Sequence, residues 1–122
     1  MILGIEWCVE QEADVISLSL GEGLYDGTCD YDEMAQAVNA AVDAGAVVPC
    51  AAGNDGDLTR MVSPACASKA IAVGAVDKLD NVASYSDGGL ELDLVAPGGD
   101  QLGGTDFPEI VSTFSTEVAN NP

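Results

Sequence analysis

The sequence predicts an α/β protein in three layers, with helices packed on a mainly parallel sheet. Three observations predict it. Two stretches of helical periodicity, one from Ile2 to Glu12 and one ending at Ala44, each lead through a short turn into an apolar run. The runs Val15–Leu20, Ala46–Cys50, Ala70–Ala75 and Leu92–Val95 have the length of buried strands rather than of helices. Glycine stands just past the first, second and fourth, at Gly21, Gly53 and Gly98, where a strand has to stop at a turn.

The first helix rests on Ile2, Ile5, Cys8 and Val9 at helical spacing, with Glu6, Glu10 and Gln11 on the opposite side. No capping residue precedes it, as expected of a chain that opens inside a larger fold. Asp14 leads into VISLSL, β-branched and leucine-rich with serines at alternate positions, and Gly21 closes it. Gly21 to Asp32 is polar and Gly-rich, with Glu22, Asp26, Asp30 and Asp32. It reads as a solvated surface loop; its carboxylates are of the kind that hold calcium, but their spacing is not that of an EF-hand. Asp30 with Glu33 at the third position reads as a capping-box variant opening the second helix. That helix carries the stripe Met34, Ala37, Val38 and Ala41, and Gly45 is its C′ stop.

The stretch Ala46–Gly56, AVVPCAAGNDG, is an apolar run that ends in a tight turn with an amide side chain, Asn54, at its tip. Pro49 conflicts with a central strand because it removes one ladder donor, so an irregularity is expected there. Taken alone, Gly-Asn-Asp-Gly is ordinary turn chemistry. Ser63-Pro64-Ala65-Cys66 then precedes the run Ala70–Ala75, and LDLVAPG supplies the last buried strand before Ile110–Phe114. No internal repeat, low-complexity tract or change of composition divides the chain.

Composition excludes several classes of function. Only 3 Lys and Arg stand against 21 Asp and Glu, a formal charge of −18 that opposes binding to nucleic acid or to an anionic membrane. Salt adaptation is one explanation and a strongly solvated surface another; a melting midpoint that rises with KCl is the sign of the first. Apolar residues make up 48% and mean hydropathy is +0.20, enough for a packed interior in 122 residues. No apolar run reaches the ~18 residues of a membrane span, and the first residues lack the basic start of a signal peptide. Histidine is absent, so the chain by itself builds neither a Ser-His-Asp triad nor a His-containing metal site. Cys8, Cys29, Cys50 and Cys66 show no CxxC spacing, which argues against zinc. Cys8 and Cys50 sit in apolar runs as small hydrophobes; Cys29 and Cys66 lie in loops where an oxidising compartment permits a disulfide.

Four collinear segments, GIEWCVEQEADVISLSLG, AVVPCAAGNDG, IAVGAVDKLDNVASYSD and LDLVAPG, resemble the central part of the subtilisin-like serine peptidases. The resemblance runs from about Gly4 to Thr113. It implies a partial peptidase domain over residues 1–122, without the segments that carry the catalytic Asp, His and Ser. It implies Asn54 as an oxyanion-hole donor, Ser19, Leu20 and Gly21 as an edge that pairs with the substrate backbone, and Ala51, Ala52 and Gly53 as a wall of the pocket for the side chain before the cleaved bond. Asp55 falls at the rim of that pocket, where an acidic group suits basic side chains. It also implies a cis peptide bond at Ser63-Pro64, a polypeptide substrate, a secreted protein whose signal lies outside this chain, and calcium as the one candidate cofactor.

The family's histidine and nucleophile motifs are not in this sequence. Ser17, Ser19, Ser63, Ser84, Ser86, Ser112 and Ser115 all lack the nucleophile's context, so the chain alone is expected to be inactive. The alternative is a non-catalytic α/β scaffold that binds a peptide or a partner chain. A nucleotide-binding domain is disfavoured, since no GxGxxG or Walker pattern follows a strand.

Overall fold

A computed structural model describes residues 1–99. The strand expected at Ile110–Phe114, with Ser112 and Ser115, lies outside the described residues. The elements run α1 (Ile2–Glu10), β1 (Glu22–Tyr25), α2 (Glu33–Asp43), β2 (Pro49–Ala51), β3 (Met61–Ser63), β4 (Ile71–Val76) and β5 (Leu94–Pro97). Strands β2, β4 and β5 form a parallel sheet in that order, and β1 pairs with β3 in a separate antiparallel ribbon.

Helix α1 ends two residues earlier than its periodicity suggests, because Glu12 turns into the left-handed region at φ 57° and Ala13 N–H bonds back to the Cys8 carbonyl. Ile5 is its buried anchor, with Cys8 and Val9 half-buried behind it, while Leu3 and Trp7 stay exposed. Helix α2 buries Met34, Ala35, Val38 and Ala41, with Ala37 half-buried at the edge of the stripe. Its cap corrects the sequence-based expectation. Asp32, not Asp30, is the N-cap, and its Oδ1 accepts from Met34 N–H at 3.0 Å and Ala35 N–H at 3.4 Å. Asp30 instead accepts from the Ser68 amide and from Asn39 Nδ2, both at 2.8 Å, and these bonds, the Ser68 amide first, hold its carboxyl below the usual range.

The run Val15–Leu20 lies parallel to β2 but in two isolated bridges, Val15 with Val47 and Leu18 with Cys50. Pro49 explains the interruption. Val47 N–H reaches Asp14 O, Ile16 N–H reaches Val47 O, Leu18 N–H reaches Pro49 O and Ala51 N–H reaches Leu18 O, all at 2.8–3.0 Å. The one rung that would join them needs an N–H on Pro49, which proline lacks. The other strands lie near their predicted runs, β4 shifted by one residue and β5 by two, but β5, expected to be buried, is exposed along its length, with Leu94 and Val95 more than half exposed.

Gly21–Asp32 departs from its reading as a surface loop: a third of it is strand β1, paired with β3 at Glu22–Ser63 and Tyr25–Met61 with an irregularity between. The register break and the lack of apolar alternation hid this strand. Beyond it the chain is closed onto the turn after β3 by a disulfide between Cys29 and Cys66, whose Cα atoms are 5.3 Å apart, and Ser63–Pro64 is cis. Cys50 is buried, which pushes its thiol up to about 12.

One core joins these parts: Ile5 and Val38 from the helices, Ile16, Val48, Cys50 and Ala72 from the sheet. Alternation along β2 shows the layering, since Val48, Cys50 and Ala52 are buried while Val47 and Ala51 face outward.

Candidate active site

Where the Val15–Leu20 run and β2 reach their carboxyl ends, the chain forms a cleft of about 280 Å³. Ligand sites of parallel α/β sheets lie at that edge. Ser19, Leu20, Gly21, Ala51, Gly53, Asn54 and Asp55, all singled out from sequence, line it together. Ala52 does not. The pleat turns it into the core at 1% exposure, where its N–H bonds to Val73 O and its carbonyl accepts from Val62 N–H, each at 2.9 Å. Ala52 therefore supports the wall from behind, and Val62 takes a place in the lining that sequence did not reveal.

Val62 is wedged between the two glycines. A Cβ at Gly21 would fall on the Val62 side chain and 2.6 Å from Ser63 O, so only glycine lets this edge run so close to β3. Gly53 is required twice over: its φ is 126°, and a Cβ there would overlap the Asp87 carboxylate. Ser19, Leu20 and Gly21 are exposed and present an edge with no strand on it among the described residues.

The turn that carries Asn54 is anchored from below by Asp87, which is 1% exposed. Its Oδ1 accepts from both Asp55 N–H and Asp57 N–H at 2.9 Å, and its own N–H donates to Gly53 O at 3.1 Å. Asp57 Oδ1 in turn accepts from the Thr59 hydroxyl at 2.7 Å and the Thr59 amide at 2.9 Å, and Arg60 Nε bonds Oδ2 at 2.7 Å. The Thr59 donors first, then Arg60, hold the Asp57 carboxyl down to about 2. Asp55 and Asn54 remain exposed at the rim.

No imidazole exists in the chain, and the described buried serines have other commitments. Ser63 Oγ donates to Asp32 Oδ1; Ser86 Oγ accepts from Ala75 N–H and donates to Asp87 O. The aspartates of the Gly21–Asp32 region are engaged in structural bonds: Asp30 Oδ1 accepts from Asn39 and Ser68, and the two oxygens of Asp32 accept from Ser63, Tyr25 and the start of α2. Among the described residues, no group of three His, Cys, Asp or Glu side chains is placed to hold a metal ion.

The profile of the Subtilase family, peptidase S8, matches residues 1–121. The chain belongs to this family of serine endopeptidases. It is 42% identical over 102 residues to the major intracellular serine protease of Bacillus subtilis, covering 80% of this chain and 30% of that protein. It is 46% identical over 95 residues to thermitase of Thermoactinomyces vulgaris, covering 78% and 32%. Among solved structures, the psychrophilic subtilisin-like protease Apa1 of Pseudoalteromonas superimposes with a TM-score of 0.68 at 28% identity, covering 81% of this chain and 22% of that one. The self-cleaved protease domain of PatA gives 0.71 at 30% identity, covering 81% and 38%. The fold is thus the subtilisin-like α/β fold, and the chain spans about a third of the length of the curated relatives it matches. Relatives named intracellular serine proteases stand beside those named subtilisins, so membership carries no single compartment with it.

Proposed function

We propose that this chain is the central part of a subtilisin-like endopeptidase domain, carrying the oxyanion donor and one wall of the substrate cleft, with the catalytic Asp, His and Ser supplied by sequence outside it. The observation that carries this reading is that Asn54 and the Ser19–Gly21 edge line one cleft although they lie more than thirty residues apart. Attack of a serine hydroxyl on a peptide carbonyl places negative charge on the carbonyl oxygen, and a fixed donor aimed at that oxygen lowers the barrier. A neutral carboxamide suits this task because it donates without losing a proton. Ser19, Leu20 and Gly21 pair with the extended substrate backbone as an added strand. The side chain before the cleaved bond enters the cleft between Ala51, Gly53 and Val62, a space suited to small or slender groups, and Asp55 at the rim favours a basic tip. The substrate is a polypeptide.

On this reading the chain alone has no nucleophile, and fluorophosphonate labels none of its serines. Expressed in frame with flanking sequence that encodes His-Gly-Thr upstream and Gly-Thr-Ser downstream, it gains labelling at the downstream serine. Labelling of the chain by itself contradicts the proposal. Flanking sequence without those motifs favours the non-catalytic scaffold instead.

A further inference from the structure

The buried carboxylate of Asp87 is used by no step of the peptidase chemistry, yet this residue meets the Asn54 turn at three points. Its Oδ1 gathers the amides on the C-terminal side of Asn54, Asp55 N–H and Asp57 N–H, at 2.9 Å each, while its own N–H holds the carbonyl of Gly53 on the N-terminal side at 3.1 Å. Asn54 is thereby fixed on both flanks by one residue. Its Oδ2 is buried, has no hydrogen-bond partner among the described residues, and is packed where a Cβ on Gly53 would have to go. Leaving a buried carboxyl oxygen without a partner costs stability, so the residue calls for a reason to be there, and the two bonds that Oδ1 makes to the turn supply one. The clamp is rooted in the sheet: Ser86 Oγ accepts from Ala75 N–H in β4 and donates to the Asp87 carbonyl.

We propose that Asp87 is a positioning residue for the oxyanion donor: it sets the path of residues 53–57 and through it the direction of the Asn54 amide. This rests on the proposed role of Asn54, but its structural half does not. Two measurements separate them. The first is amide hydrogen exchange on the full chain, comparing parent, D87A and D87N. In D87A the Asp55 and Asp57 amides exchange at least about tenfold faster, while Ala52 and Ala72, held by Val73 O and Asp93, keep their protection. D87N keeps an acceptor oxygen and restores most of that protection.

The second is a double-mutant cycle on kcat and KM in the polypeptide that joins this chain to its triad. D87A lowers kcat about tenfold at constant KM, and the same change made in N54A lowers it no further. Equal loss of protection at Ala52 and Ala72, unprotected Asp55 and Asp57 in the parent, or additive effects with N54A each overturn the proposal. Should D87A fail to fold, D87S, which shortens the acceptor side chain, decides: a loss of protection confined to Asp55 and Asp57 supports the proposal, and parent-like protection there overturns it. If the parent polypeptide hydrolyses no peptide while the exchange pattern holds, the peptidase reading falls and the clamp on the turn stands.

Discussion

Two stretches of this chain, Gly21–Asp32 and Gly53–Asp57, look alike as sequence: both are rich in glycine and aspartate, and each follows a strand-like run. In the structure they become different things. The first is a strand, a disulfide and a helix cap, held by contacts spread over its length: Glu22 against Ser63, Cys29 to Cys66, Asp32 to the start of α2. The second is a tight turn held largely by the carboxylate and peptide group of one buried residue thirty or more positions away. Both lean on the same short strand, β3, through Ser63 in one case and Val62 in the other. Composition alone therefore does not decide whether such a stretch is scaffold or site; the distant partner does.

The contrast predicts that the first region, its disulfide apart, tolerates single changes, whereas the second is sensitive at a few positions. The largest expected effect tests its one covalent tie. Replacing Cys29 and Cys66 together by serine opens a link across 37 residues and costs about 2–5 kcal/mol in denaturant titration. An unchanged midpoint would show that the pairing of β1 with β3 suffices. Next, G53A is expected to cost about 2–3 kcal/mol, since it combines a φ of 126° with overlap on Asp87. A loss within 0.5 kcal/mol, roughly the scatter of neutral surface changes, would mean that the turn rearranges freely.

Removing the helix cap is milder. D32A should cost about 1 kcal/mol through the freed amides of Met34 and Ala35, with the loss of the Ser63 and Tyr25 bonds added to it. Burial pushes the Asp32 carboxyl up, but the Ser63 hydroxyl and those amides outweigh it and hold it below its ordinary value. The smallest effect is a pH dependence. The folded Asp57 carboxyl sits at about 2 against an unfolded 3.8, so its contribution is present above 3.8 and is lost as pH falls toward 2. D57N should be less stable than the parent at pH 6, with the difference closing between pH 4 and 2; a gap independent of pH would assign the loss to packing instead.

Much of the fold was legible because its signals are local. Apolar runs of strand length, three of them ended by glycine, located four sheet segments, and Pro49 announced the missing rung between Val15–Leu20 and β2. The β1–β3 ribbon was not legible, since its pairing joins residues about forty apart and its short strands lack apolar alternation. The cap was misplaced by two residues because Asp30 and Asp32 are equal candidates locally, and Asn39, Ser68, Ser63 and Tyr25 divide them only once the chain is folded. In the cleft, Asn54 and Gly21 were visible through the family's motifs, whereas Ala52 turned inward by simple strand alternation. Val62 and Asp87 gave no local sign: one is an ordinary apolar residue in a three-residue strand, the other an aspartate before two glycines, which reads as a turn.

The most direct test of the proposed site is N54A in a polypeptide that joins this chain to the catalytic Asp, His and Ser proposed to lie outside it. The account predicts that kcat falls by about 10²–10³, the range measured for the corresponding donor in a subtilisin itself, while KM stays within about twofold. A raised KM with kcat intact, or no change in either, would contradict it.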